Sequence, residues 1–115
     1  MKILVVDDQA SVLLCLAESF KKLGHTVSEA CNGEQAMALL EKNGGIELVI
    51  TDLSMPGMSG IELTKKVKQT APSVRVCIMS GHFYGNSREE ALGAGAEKAL
   101  EKPITALDLS QKLAI

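Results

Sequence analysis

The stretch ILVVDDQA, residues 3–10, runs four apolar residues straight into two adjacent aspartates. A short, continuous apolar run rich in valine and isoleucine is the mark of a strand buried on both faces, as in a parallel sheet. The aspartates at its end raise a question of charge. At a separation of about 4 Å and an effective dielectric of about 20, two like charges repel by roughly 4 kcal/mol. A chain tolerates such a pair at the surface, where water screens it, or around a cation.

The same kind of run recurs along the chain. Strands are expected at KILVVD (2–7), TVSEA (26–30), ELVITD (47–52), VRVCIMS (74–80) and EKALEK (97–102). The first, third and fourth are almost wholly apolar and read as interior strands. The second alternates and the fifth is mixed, as edge strands do. Helix-period segments lie between them. Leu13, Leu16, Ala17, Phe20 and Leu23 share one helical face, and Gly24 supplies a stop. Ala36, Leu39 and Leu40 form a second stripe, closed by NGG (43–45). SGIE (59–62) pairs an N-capping Ser59 with Glu62 three residues on, a capping box, and that third helix must end before Pro72. The fourth, SREEALGAG (87–95), is short and broken by glycine, which makes it the weakest. The fifth, ALDLSQKLAI (106–115), is expected to run to the last residue. Strand alternating with helix implies βαβ crossovers and a doubly wound α/β sheet.

Composition narrows the function. With 115 residues, 46% hydrophobic and 23% charged, the chain suits one globular domain. The net charge is −2 and no Lys/Arg run exceeds two residues, which argues against nucleic acid as a direct ligand. Phe20, Phe83 and Tyr84 are the only aromatic residues, too few for a base-stacking platform. Four apolar residues after Lys2 make neither a signal peptide nor a membrane span. Cys15, Cys31 and Cys77 are odd in number and far apart, as reduced thiols of a cytoplasmic protein would be.

In a doubly wound sheet the ligand sits beyond the carboxyl ends of the strands. Strand 1 ends in Asp7-Asp8, strand 3 in Asp52, strand 4 in Ser80-Gly81 and strand 5 in Lys102-Pro103. Taken singly, an aspartate there is a turn former or a helix cap, and a lysine is a solvated charge. Together they bring three carboxylates, a hydroxyl and an ammonium to one rim. Carboxylates without histidine or cysteine beside them select a hard cation such as Mg²⁺ over zinc. A carboxylate facing that ion is suited to attack phosphorus, with the hydroxyl and the ammonium binding the transferred group.

In these residues the chain resembles the receiver domain of two-component response regulators. Asp7-Asp8, TDLSMPGMSG (51–60), MSG (79–81), GAG (93–95) and KP (102–103) carry the likeness, which extends over essentially the whole length. The resemblance implies a single receiver domain over 1–115. Its fold would be flavodoxin-like, with five parallel strands in the order 2-1-3-4-5 and five flanking helices. Asp52 would be the phospho-acceptor. Asp7, Asp8 and Asp52 would hold Mg²⁺, with the Ser54 backbone carbonyl as a further ligand and Asp8 ahead of Asp7 as the direct side-chain ligand. Ser80 and Lys102 would grip the phosphoryl group, and the Lys102–Pro103 bond would be cis, a rare conformer. The implied function is a self-modifying switch rather than a turnover enzyme. A sensor histidine kinase or a phosphotransfer protein would phosphorylate it, and it would signal through an effector protein.

One departure stands out. Receivers commonly carry an aromatic residue three positions before the lysine, where this chain has Ala99. The change on phosphorylation is therefore expected in the loop after strand 4 and in helix 4, with Phe83 and Tyr84 either standing in for the missing ring or covering the core. Ser54 and His82 occupy the two positions that tune phospho-aspartate lifetime in the family. His82 either orients the attacking water or is an exposed loop residue without a role. Two other readings compete. A haloacid-dehalogenase-type phosphatase also uses an aspartyl nucleophile and Mg²⁺, but in a D-x-D motif after strand 1, where this chain has adjacent aspartates. A nucleotide- or flavin-binding module would need a phosphate-cradling loop where DDQAS offers negative charge. Whether the chain stands alone or belongs to something longer is open at this level.

Overall fold

Strands and helices alternate without exception in the computed structural model, which describes all residues from 1 to 115. The order is β1 (Lys2–Val6), α1 (Ala10–Lys22), β2 (Thr26–Ala30), α2 (Gly33–Lys42), β3 (Leu48–Asp52), α3 (Gly60–Thr70), β4 (Arg75–Ser80), α4 (Ser87–Gly93), β5 (Lys98–Glu101) and α5 (Ala106–Leu113). All strand pairs are parallel and the sheet order is β2-β1-β3-β4-β5. This is the doubly wound α/β fold that the alternation implies, with β2 and β5 at the edges.

Side-chain alternation divides each interior strand between two cores. Leu4, Val6, Val49, Val76 and Ile78 face the layer of α2, α3 and α4, together with Ala36, Leu63, Val67 and Ala91. Ile3, Val5, Leu48, Ile50, Cys77 and Met79 face α1 and α5, and meet Leu16, Phe20, Leu109 and Leu113. Every residue of β3 is buried, which is why it reads as a continuous apolar run. Phe20 is fully buried and anchors α1; such a side chain contributes roughly 1.5–3 kcal/mol by leaving water.

Local chemistry sets most helix ends. The Ser59 hydroxyl accepts from Glu62 N at 3.2 Å while the Glu62 carboxylate accepts from Ser59 N at 3.5 Å, so the capping box forms as read. Asn32 caps α2 by accepting from Gln35 N, and Thr105 caps α5 by accepting from Asp108 N, each a single N-cap bond. α1 ends at Lys22 with Leu23 as its C-cap, and Gly24 follows with φ +94°, a left-handed turn that favours glycine. α4 has seven residues and is the shortest helix. α5 is the correction: it ends at Leu113 and does not continue to residue 115. Ala114 turns left-handed at φ 55°, and Ile115 N donates back to Ser110 O at 2.9 Å. That turn lets Ile115 pack against the α1/α5 core, which a straight helix would not allow. No helix is long and apolar enough to cross a membrane.

Candidate functional site

A parallel sheet delivers the carboxyl ends of its strands to one edge, and here that edge collects the polar residues. Asp7 follows β1 directly, and its N–H continues the ladder to Ala30 O at 3.1 Å. Asp52 closes β3 in register with Met79, and Ser80 closes β4 in register with Glu101. Lys102 N donates to Ser80 O at 2.7 Å, which ties the exit of β5 to the end of β4. The Lys102–Pro103 peptide is cis.

One ammonium bridges two carboxylates at the centre. Lys102 Nζ lies 2.8 Å from Asp7 Oδ2 and 3.1 Å from Asp52 Oδ1. Asp7 is wholly buried and Asp52 is 8% exposed. The other Asp7 oxygen, Oδ1, accepts from Gln9 N at 2.9 Å, so the first turn of α1 is fastened to the site. Burial pushes the Asp52 carboxyl above its ordinary value. Its bond to Lys102 opposes that shift, and the nearby Asp7 charge adds to it. Burial works against the Lys102 ammonium as well, but the hydrogen bonds and charges of Asp7 and Asp52 outweigh it and hold the lysine above its ordinary value.

The remaining sequence candidates are placed unequally. Asp8 is exposed on the outer side of the cluster, and oxygens of Asp7, Asp8 and Asp52 all lie within 4.8 Å of one another. Ser54 is exposed in the loop that follows Asp52. Ser80 is buried at the end of β4, but its hydroxyl is engaged within its own loop. It donates to His82 O at 2.6 Å and accepts from His82 N at 3.1 Å. The His82 ring is exposed and lies 4.1 Å from the Tyr84 ring, which is 76% exposed.

Two contributors escape a reading of the sequence. The buried Thr51 hydroxyl donates to Asp52 O at 3.0 Å. Gly60 opens α3 flat against Asp52: a Cβ there would stand 2.3 Å from Asp52 O and 3.0 Å from Leu53 Cα. No local pattern announces either contact. The only hint is a glycine directly after an N-cap, where a better helix former would serve.

The donor set suits a divalent cation. It offers oxygen alone, from three carboxylates that a single ammonium cannot balance.

The family model of the response regulator receiver domain matches residues 3–114. Among curated proteins, the chain is 38% identical over 116 residues to the Chemotaxis protein CheY homolog of Campylobacter jejuni, covering 98% of this chain and 89% of that one. It is 33% identical over 115 residues to the Sensor histidine kinase RcsC of Salmonella typhi, where it covers all of this chain but spans only 12% of the kinase. Among solved structures, a response regulator receiver domain protein from Clostridium thermocellum superposes with a TM-score of 0.89 at 31% identity, covering 99% of this chain and 98% of that one. A buried acid–lysine cluster on the carboxyl edge of a 2-1-3-4-5 sheet, in a chain with these relatives, leads to one conclusion: the protein belongs to the response regulator receiver domains, the phosphorylation-dependent switches of two-component signalling.

Proposed function

We propose that Asp52 is the phospho-acceptor of one receiver domain formed by residues 1–115, and that a sensor histidine kinase or a phosphotransfer protein supplies the phosphoryl group. The observation that carries this reading is the position of Asp52: it ends the most buried strand, 3.1 Å from Lys102 and beside two further carboxylates. An ionised Asp52 oxygen attacks the phosphorus of a phosphohistidine. An O–P bond forms and the P–N bond breaks; the imidazole nitrogen leaves with the electron pair and takes up a proton from solvent. Lys102 neutralises charge on the transferred oxygens, and the Ser80 hydroxyl donates to one of them.

The fitting cation is Mg²⁺, which Asp8, Asp7, Asp52 and the Ser54 backbone carbonyl would hold, and which would supply positive charge against the phosphoryl oxygens. Asp8 is the better direct ligand, because it is exposed while both oxygens of Asp7 are already engaged by Gln9 and Lys102. This division also disfavours an aspartyl phosphatase with its nucleophile after β1: Asp7 is buried and doubly bonded, and Gln9 stands where the second acid of a D-x-D motif would be. The product is the modified protein itself, so the domain is a self-modifying switch without turnover of external substrates. It passes the signal to an effector protein. The exposed thiols of Cys15 and Cys31 suit a reducing, cytoplasmic compartment.

Intact mass after treatment with a phosphoramidate donor and Mg²⁺ tests the assignment. One added phosphoryl group in the wild type and none in Asp52→Asn is expected. Equal uptake by Asp52→Asn, or catalytic hydrolysis of small phosphate esters, would refute it.

A further inference from the structure

The Ser80 hydroxyl carries one proton, and the unmodified protein spends it on its own loop. The proton goes to His82 O at 2.6 Å, and the hydroxyl oxygen in turn accepts from His82 N. A hydroxyl that turns to a phosphoryl oxygen on the neighbouring strand must withdraw from the His82 carbonyl. The next residue along the loop, Phe83, packs against the core cluster that contains Ala99.

Above that ring lies Arg88, the second residue of α4. Its guanidinium carbon sits 4.5 Å from the Phe83 centroid, within cation–π range. The same guanidinium donates to Ala99 O on the free edge of β5, and lies 3.5 Å from the Glu101 carboxylate. One side chain thus fastens the β4–α4 loop, the start of α4 and the edge strand together. It does so at the strand position whose own side chain is only a methyl group, too small to swing.

We propose that Arg88 is the latch of this switch. In the unmodified protein it pins Phe83 and Ala99, and withdrawal of Ser80 from His82 loosens the loop under it, so that α4 parts from β5. The proposal rests on the reading of Asp52 as acceptor and Ser80 as phosphoryl ligand. The Glu101 contact is exposed and adds little; the part-buried bond to the Ala99 carbonyl and the contact with Phe83 hold the latch shut.

Hydrogen–deuterium exchange on the full chain, with and without a phosphoramidate donor and Mg²⁺, tests it in the wild type, Arg88→Ala and Phe83→Leu, with intact mass taken on each sample. Phosphorylation of the wild type is expected to speed exchange across residues 81–101 by about tenfold, the scale of one lost charge-assisted hydrogen bond. Arg88→Ala should exchange at that faster rate before any phosphorylation, gain little more afterwards, and take up the same mass. Phe83→Leu should lie between, and the double variant should exceed Arg88→Ala by little. Tyr84, the sole tyrosine in a chain without tryptophan, gives an emission signal from the same loop. It should respond to phosphorylation in the wild type and not in Arg88→Ala. Wild-type exchange rates in unmodified Arg88→Ala, or a full phosphorylation response in that variant, would overturn the latch. Mass uptake in the wild type without any change in exchange would overturn the release alone. Absence of uptake would overturn the reading of Asp52, and the release with it.

Discussion

Asp7 and Lys102 stand 95 residues apart in the chain and meet at 2.8 Å, with Asp7 wholly buried. The pair spans the sheet from β1 to the exit of β5, so the lysine closes the site and ties the last strand to the first. Removing the ammonium leaves a buried carboxylate without its countercharge, held only by Gln9 N, which costs about 3 kcal/mol or more. Lys102→Ala is therefore expected to melt roughly 12 °C or more below the wild type in metal-free buffer. Mg²⁺ should restore a larger share of stability to the variant than it adds to the wild type. Phosphorylation of Asp52 should persist in part, without a change in exchange over the β4–α4 loop. Full activation of effector binding by the phosphorylated variant would contradict this role.

Asp8 tests the repulsion within the cluster. Millimolar Mg²⁺ should raise the wild-type melting temperature, by an amount set by about 2.7 kcal/mol at a hundredfold excess over Kd. Equal ionic strength from NaCl should do much less. Asp8→Asn relieves one like-charge contact and weakens the site together, so it should melt above the wild type without metal yet gain little from Mg²⁺. Paired melting curves of both proteins decide the matter. A variant that loses stability without metal and keeps the full Mg²⁺ response would show that these carboxylates do not share a cation.

Gly60 offers a steric test. Its added Cβ would meet the Asp52 backbone at 2.3 Å, and a backbone neighbour has no flexible end to swing aside. Gly60→Ala should destabilise by about 1–3 kcal/mol, as overpacking does, and slow phosphorylation by moving Asp52. Gly44 has nothing within 4 Å of an added Cβ, so Gly44→Ala should leave both the denaturation midpoint and the phosphorylation rate near wild type.

At the opposite edge of the sheet, Arg75 makes a two-pronged contact with Glu97, at 2.7 Å and 2.6 Å. The hydrogen bonds from Arg75 hold the Glu97 carboxyl below its ordinary value of 4.5, against the smaller effect of burial. A depressed carboxyl stabilises the fold fully above its unfolded pKa, and that stability is lost as the pH falls through the folded value. Both groups are about one-third exposed, so solvent screening keeps the effect under about 1 kcal/mol. Denaturation at pH 7 should show Glu97→Gln slightly less stable than the wild type, and the gap should close in acid below the folded pKa. A gap that widens in acid would reverse the assignment.

What could be read from the chain alone was whatever a short window contains. Continuous apolar runs place β1, β3 and β4 because burial on both faces leaves no polar alternation to find. The Ser59–Glu62 capping box is local chemistry, and the strand-end acids follow once the sheet is known to be parallel. The unequal fates of Asp7 and Asp8 were harder to see. Which neighbour is buried against Lys102 and which faces outward depends on how the chain leaves β1, and no local pattern distinguishes two adjacent aspartates. The closeness of Gly60 to Asp52, the Ser80–His82 clasp and the reach of Arg88 to Ala99 join elements through space, beyond any periodicity. α5 ends early for the same reason: Ile115 has a tertiary site to fill.

The division of the core into two layers has a practical consequence. Val76 and Ile78 face the α2–α4 side, and strict alternation turns Ser80 the same way, toward Ala99 and α4. The layer of α1 and α5 packs on the other set of side chains, Cys77 and Met79. That layer is the natural reference for measuring a displacement of α4. In a Cys31→Ser background, a reporter attached to the exposed Cys15 on α1, paired with one introduced on α4, should record displacement of α4 against α1 if the change is confined to the layer of α4.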